Sequence, residues 1–183
     1  MRKTALTALV LLAPVGSAQA KLPTGGAGGA APAPAPAPDL ALADGEGGAA
    51  PAPDLALADG QLVNTGGPLP TRVQRVIAAA NRIAHKPYIW GGGHARFRAP
   101  GYDCSGSVSY ALHGGRFLRA PRTSGGLMTF GRAGRGRWIT VYANSGHTYL
   151  TVGRFRFDTW GGRGPRWHRT SRSSAGFTVR HAM

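Results

Sequence analysis

Every tryptophan, tyrosine and phenylalanine of this 183-residue chain lies after Pro70. Large aromatic and aliphatic side chains supply most of the apolar surface a fold can bury, so a core can form only in the C-terminal part. Residues 21 to about 67 are mostly Ala, Pro, Gly and acidic residues, and the decapeptide "PAPDLALADG" occurs twice, at 36–45 and 51–60. A segment of that composition buries too little to offset its ordering entropy and reads as a semi-extended linker. The repeat within it reads as duplicated linker rather than a binding motif. The expected organisation is therefore a leader at 1–20, a disordered linker at 21–68 and one folded domain at 69–183.

The leader assignment rests on "MRKTALTALVLLAPVGSAQA", with basic Arg2 and Lys3, an apolar run from Ala5 to Val15 and the small-x-small ending Ala18-Gln19-Ala20. This is the pattern of a secretory signal peptide. The apolar run is shorter than the roughly 20 residues a membrane span needs. The expectation is a secreted, extracellular or wall-associated protein with no stable membrane anchor after cleavage. "KLPTGG" at 21–26 reads as linker, because no hydrophobic tail comes after it.

Charge divides the chain at the same place. Residues 69–183 hold nineteen Lys and Arg against two carboxylates, Asp103 and Asp158, while five carboxylates fall in the linker. An anionic neighbour is expected; outside a cell, wall polymers and peptide carboxylates rank above nucleic acid.

Periodicity within the domain predicts two helices followed by a short antiparallel sheet, an α+β fold. "PTRVQRVIAAANRIAHK" repeats Val73, Ile77, Ala80 and Ala84 at helical spacing and stops before Pro87. After "DCSG", Cys104, Val108, Ala111 and Leu112 share a helical face that ends at Gly114-Gly115, with Asp103 placed as the N-cap. "RWITVYA", "HTYLTVG" and "RFRFDTW" alternate as strands.

Cys104 is the only cysteine. On the first turn of a helix the backbone N–H groups and the macrodipole favour the thiolate, and the polar, turn-like "GYDCSG" around it predicts an exposed thiol. His147, opening a strand after Ser145-Gly146, is the best candidate base. A two-residue turn at Gly153-Arg154 pairs Val152 with Phe155 and Leu150 with Phe157. His147, Tyr149, Thr151, Arg156 and Asp158 then share the other face, and Asp158 lies diagonal to His147, within reach of a hydrogen bond. His94 is placed beside the glycine loop, and His168 is the alternative orienting group. A cysteine at a helix N-terminus, a histidine on a facing strand and a third orienting group form the papain-type layout. Too few histidines and carboxylates fall at ligand spacing for a zinc site, and no metal or other cofactor is expected.

"PYIWGGGHARFRAPGYDCSGSVSYAL", with a later Gly-His opening a strand, resembles the signature of the NlpC-type cysteine peptidases of bacterial cell walls. The resemblance covers about residues 70–160. It implies a papain-like α+β fold and hydrolysis of amide bonds in peptidoglycan stem peptides. Carried over by position, it implies Cys104 as nucleophile, His147 as base, Asp158 close to the third catalytic position, and Tyr88, Asp103 and Ser105 as residues shaping the substrate cleft. The family more often has histidine at the third position. The alternative expectation is a catalytically weak or inactive basic module that binds anionic wall polymers or nucleic acid.

Overall fold

The computed structural model describes residues 54–169 and 172–182, all within one compact unit, Gly45–Met183. The expected leader, most of the linker and the first copy of the repeat lie outside the described residues. In chain order the elements are β1 (Asp54–Ala58), β2 (Gln61–Gly66), α1 (Thr71–Ile83), α2 (Cys104–Gly114), α3 (Ser124–Leu127), β3 (Arg132–Ala133), β4 (Ile139–Ala143), β5 (Thr148–Val152), β6 (Phe155–Asp158), β7 (Arg166–His168) and β8 (Thr178–His181).

One expectation about the linker is overturned. Residues 54–66 form an antiparallel hairpin in which Ala58 pairs with Gln61 and Leu57 with Leu62. Asp59 and Gly60 both take positive φ, 48° and 75°, as the two central residues of a type I′ turn must. Leu55 and Leu62 are buried in the main core. Asn81 of α1 holds the hairpin: its Oδ1 accepts from Leu62 N at 3.1 Å, and its Nδ2 donates to Leu62 O at 2.9 Å. The same Oδ1 accepts from Trp167 Nε1 at 2.8 Å, joining the hairpin to β7. An Asp-Gly turn flanked by alternating leucines is a hairpin signal, which the surrounding Ala/Pro composition obscures. The two copies of the decapeptide also differ in their downstream neighbours: the second continues into "QLVNTG", the partner strand, and the first into "EGGAA".

α1 and α2 form where periodicity placed them. α1 buries Val73, Val76, Ile77, Ala80 and Ile83. α2 is buried nearly all round, including Ser105, Ser107 and Ser109. Buried hydroxyls need partners. Ser107 Oγ returns its hydrogen bond to Cys104 O at 2.8 Å, and Ser109 Oγ donates to Arg122 O at 3.1 Å.

The main sheet runs β3-β8-β4-β5-β6-β7, antiparallel throughout. The β5–β6 hairpin has the expected register, Val152 opposite Phe155 and Leu150 opposite Phe157. Leu150, Val152, Phe155 and Phe157 share the core with Val108 and Leu112 of α2. The sheet is wider than three strands because the C-terminal segment adds β7 beside β6 and β8 beside β4. Both are too short, at 3 and 4 residues, to show alternation in the sequence. The outcome is α+β and papain-like: a cysteine-bearing helix packed on a small antiparallel sheet.

Candidate active site

Asp103 begins the site. It caps α2, its Oδ1 accepting from Gly106 N at 2.7 Å. Its Oδ2 accepts from Gly91 N at 3.1 Å, which ties the glycine loop to the helix start. His94 Nε2 lies 2.8 Å from Ser105 Oγ and 3.1 Å from Asp103 Oδ1, so the residue placed beside the glycine loop closes the same cluster. The loop approaches so closely that a Cβ on Gly106 would overlap the Gly92 carbonyl oxygen. The "GGG" and "DCSG" stretches are thus two halves of one contact.

Cys104 occupies the first position of α2, as expected, but it is only 9% exposed rather than open. The polar "GYDCSG" neighbourhood suggested exposure; its polar groups are satisfied internally, and the glycine loop covers the helix start. Cys104 Sγ lies 3.6 Å from Ser124 Oγ, at the beginning of α3.

His147 is set by the β4–β5 turn. Asn144 Oδ1 accepts from Gly146 N at 3.0 Å and His147 N at 2.8 Å, an Asx turn that fixes the backbone on which the imidazole is carried. Its Nε2 lies 2.9 Å from Asp158 Oδ1. That leaves Nδ1 as the nitrogen available to the thiol. Phe177 meets the imidazole edge-on, with ring centroids 6.3 Å apart.

Asp158 is fully buried, and its second oxygen faces two cations: Arg156 Nε at 3.2 Å and Arg172 Nη1 at 3.3 Å. The one carboxylate thus meets His147 and two arginines at once. His168 stands opposite Arg156 on β7, and its Nε2 has no hydrogen-bond partner. The structure brings Asp158, not His168, to His147. His113 stacks on Phe97 and His181 bonds Gly134 O, both outside this cluster.

The electrostatics couple these groups. Burial alone would push the Cys104 thiol up; hydrogen bonds from His147 and Ser124 and the imidazolium charge outweigh it and hold its pKa below the ordinary value. Burial would lower His147, but its hydrogen bonds to Asp158 and Cys104 and their charges push its pKa up to about 9. Asp158 stays below the usual carboxylate value despite burial, through His147 and the two arginines. Both shifts favour a thiolate–imidazolium pair relative to the free side chains. Half-buried Tyr88 has its pKa pushed up by burial and then by the charges at Cys104 and Asp103, so its hydroxyl stays protonated beside them.

Sequence reasoning missed Ser124, Asn144 and Arg172. Asn144-Ser145-Gly146 between two strands was a legible Asx-turn signal. Ser124 and Arg172 reach the site only through long-range packing.

Fold and residues together define an α+β protein of papain-like layout with a thiol–imidazole–carboxylate constellation. No family model and no curated protein matches the chain. Solved structures of similar fold include the peptidoglycan hydrolase RipB from Mycobacterium tuberculosis, at 28% identity and TM-score 0.48, covering 65% of this chain and 73% of that one. The P60 domain of an antigen from M. avium subspecies paratuberculosis is similar at 23% identity and TM-score 0.47, covering 60% of this chain and 93% of that one. RipD from M. tuberculosis, described as a non-catalytic NlpC/p60 domain protein with an adaptation to peptidoglycan-binding function, is similar at 21% identity and TM-score 0.48, covering 63% and 100%. The functional reading stands on the chain's own residues.

Proposed function

We propose that the protein is a secreted cysteine peptidase that hydrolyses amide bonds in peptidoglycan stem peptides. The observation that carries this reading is the contact of His147 Nε2 with buried Asp158 at 2.9 Å, on an imidazole that also lowers the Cys104 pKa. The substrate class comes from the motif resemblance of "YIWGGGH" and "YDCSG", and secretion from the N-terminal twenty residues.

In the proposed reaction the Cys104 thiolate attacks the scissile carbonyl carbon, and the carbonyl π electrons move to oxygen. The Cys104 backbone N–H, on the first turn of α2 and without an intrahelical acceptor, faces the developing oxyanion. The His147 imidazolium gives its proton to the leaving amine as the C–N bond breaks. The neutral imidazole then takes a proton from water, whose oxygen displaces the thiolate from the acyl-enzyme. Asp158 holds the imidazole orientation and its positive charge throughout, while Tyr88, Asp103 and Ser105 shape the cleft.

The test is mass spectrometry of muropeptides after incubation with the purified protein and with Cys104→Ala. The expected result is peptide-bond cleavage by the parent and a loss of at least about 10³-fold in the variant, with unchanged thermal unfolding. Equal activity of the two, or no cleavage by the parent, overturns the reading. A second reading, a non-hydrolytic wall-binding module, is favoured by the arginine-lined surface, and salt-dependent binding without turnover is its signature.

A further inference from the structure

The sheet carries a second concave site on the face away from α2. Leu150 and Val152 point into the core with α2, so the alternating Tyr149 and Thr151 point to the opposite side. There a cavity of about 290 Å³ is lined by Arg135, Arg154, Arg156, Arg169, Arg172 and Tyr149, among others. Among the described residues, Arg135, Arg154 and Arg169 meet no carboxylate, and Asp158 is the one acid that Arg156 and Arg172 reach. The cavity is therefore strongly positive.

Two buried polar groups on its wall lack partners. Tyr149 is 1% exposed and its Oη has no hydrogen bond; Arg156 is 5% exposed, and its Nε, although 3.2 Å from Asp158 Oδ2, is misaligned and bonds nothing. Leaving a buried donor unmade costs about 1–3 kcal/mol, so such a pair in one cavity wall marks a place where a ligand supplies the acceptors. Burial pushes the Tyr149 pKa up to about 12, which keeps its hydroxyl a donor. Both unpartnered groups can donate, and with the surrounding arginines they suit an anionic ligand.

We propose that this cavity binds phosphate groups of a phosphodiester-linked polymer, at a site separate from the Cys104 cleft. Guanidinium forks match phosphate oxygens in pairs, and several of them around one cavity suit repeated phosphates rather than a single carboxylate. Bases have no platform in it: Tyr142 and Tyr149 stack on each other at 4.6 Å and are 7% and 1% exposed. The polymer backbone, not a base sequence, is what the site reads.

The experiment measures binding of a fluorescent oligo(glycerol phosphate) to full-length protein carrying Cys104→Ala, so that its result is independent of hydrolysis. Oligo-glutamate and oligothymidine of equal charge, and inorganic phosphate as competitor, are the comparison probes. Arg135→Ala/Arg154→Ala is expected to weaken binding by about tenfold or more, since each charge-assisted hydrogen bond is worth about 1.5–3 kcal/mol. Tyr149→Phe, which leaves charge unchanged, is expected to weaken binding several-fold without lowering the unfolding temperature, because the hydroxyl has no partner to lose. Arg75→Ala/Arg82→Ala, on the exposed face of α1, removes the same charge and is expected to leave affinity unchanged. An equal loss in both arginine pairs reduces the effect to net charge and overturns the site. Equal or tighter binding of oligo-glutamate overturns the phosphodiester assignment, binding of oligothymidine clearly tighter than that of oligo(glycerol phosphate) overturns the backbone-only readout, and displacement by inorganic phosphate at equal phosphate concentration overturns the polymer.

Discussion

At the scale of single residues, the proposed chemistry depends on how three ionisable groups share protons. His147 with a pKa near 9 and Cys104 held below its ordinary value give a window in which thiolate and imidazolium coexist. The expected kcat/KM profile falls on the acid side as Cys104 is protonated and on the alkaline side near pH 9 as His147 loses its proton. The same shift carries a stability term of definite sign. A histidine raised from 6.5 stabilises the fold fully below pH 6.5, and that contribution is lost as pH rises toward about 9. Asp158, lowered by its partners, contributes above its unfolded pKa and loses that contribution in acid. Asp158→Asn should move the alkaline limb down, because the charge that raises His147 is gone, and lower kcat/KM by about 10- to 10⁴-fold. His168→Ala should stay within a few-fold of the parent, measured on one defined muropeptide; the reverse pattern would assign the orienting role to His168. His147 and Asp158 were legible because a Gly-Arg turn sets the β5–β6 register, and register decides which residues share a face. The burial of Cys104 was not legible, since it depends on a loop eleven or more residues earlier.

At the scale of elements, the glycine loop and the α2 N-terminus act as one unit. Asp103 serves both, capping Gly106 N and accepting Gly91 N, and no side chain fits between Gly92 and Gly106. Gly106→Ala should therefore push the loop off the helix start. The expected outcome is a destabilisation of about 1–3 kcal/mol by overpacking, with a larger loss of activity than of stability, measured by denaturant unfolding and muropeptide turnover. A variant with parental activity would show that the loop can move without disturbing Cys104. The β1–β2 hairpin is the other coupled element. Asn81→Ala removes three hydrogen bonds at once, two to Leu62 and one to Trp167, and should cost about 2–4 kcal/mol in chemical denaturation.

At the scale of the whole molecule, the folded unit begins earlier than composition suggested. Leu55 and Leu62 belong to the main core, so a chain starting at residue 69 lacks part of it. Truncation just before Asp54 is expected to leave the unfolding midpoint unchanged, whereas truncation through residue 68 should lower it by about 10 °C or more, through the lost leucine burial and Asn81 contacts. Equal midpoints for the two truncations would make the hairpin an ornament on an independent domain. The C-terminal segment is equally integral, since β8 pairs with β4 and Arg172 reaches Asp158. Removing residues 172–183 should lower both stability and turnover.

The sequence by itself determined those features whose physical cause is local. Helical spacing set α1 and α2, Asp103 was placed to cap, and the Gly153-Arg154 turn aligned β5 with β6 so that Asp158 came diagonal to His147. Local patterns also singled out Cys104 and His147 as the candidate nucleophile and base. Tertiary structure alone decided what distant segments do to one another. It drew Ser124 to the thiol and Arg172 to Asp158, closed the glycine loop over Cys104, and inserted β8 beside β4. It also turned part of an Ala-rich stretch into a hairpin, because Leu62 and Asn81, nineteen residues apart, stabilise each other only once α1 is in place. Short-range rules carry a residue's own preferences, whereas burial and long-range pairing depend on which surfaces meet.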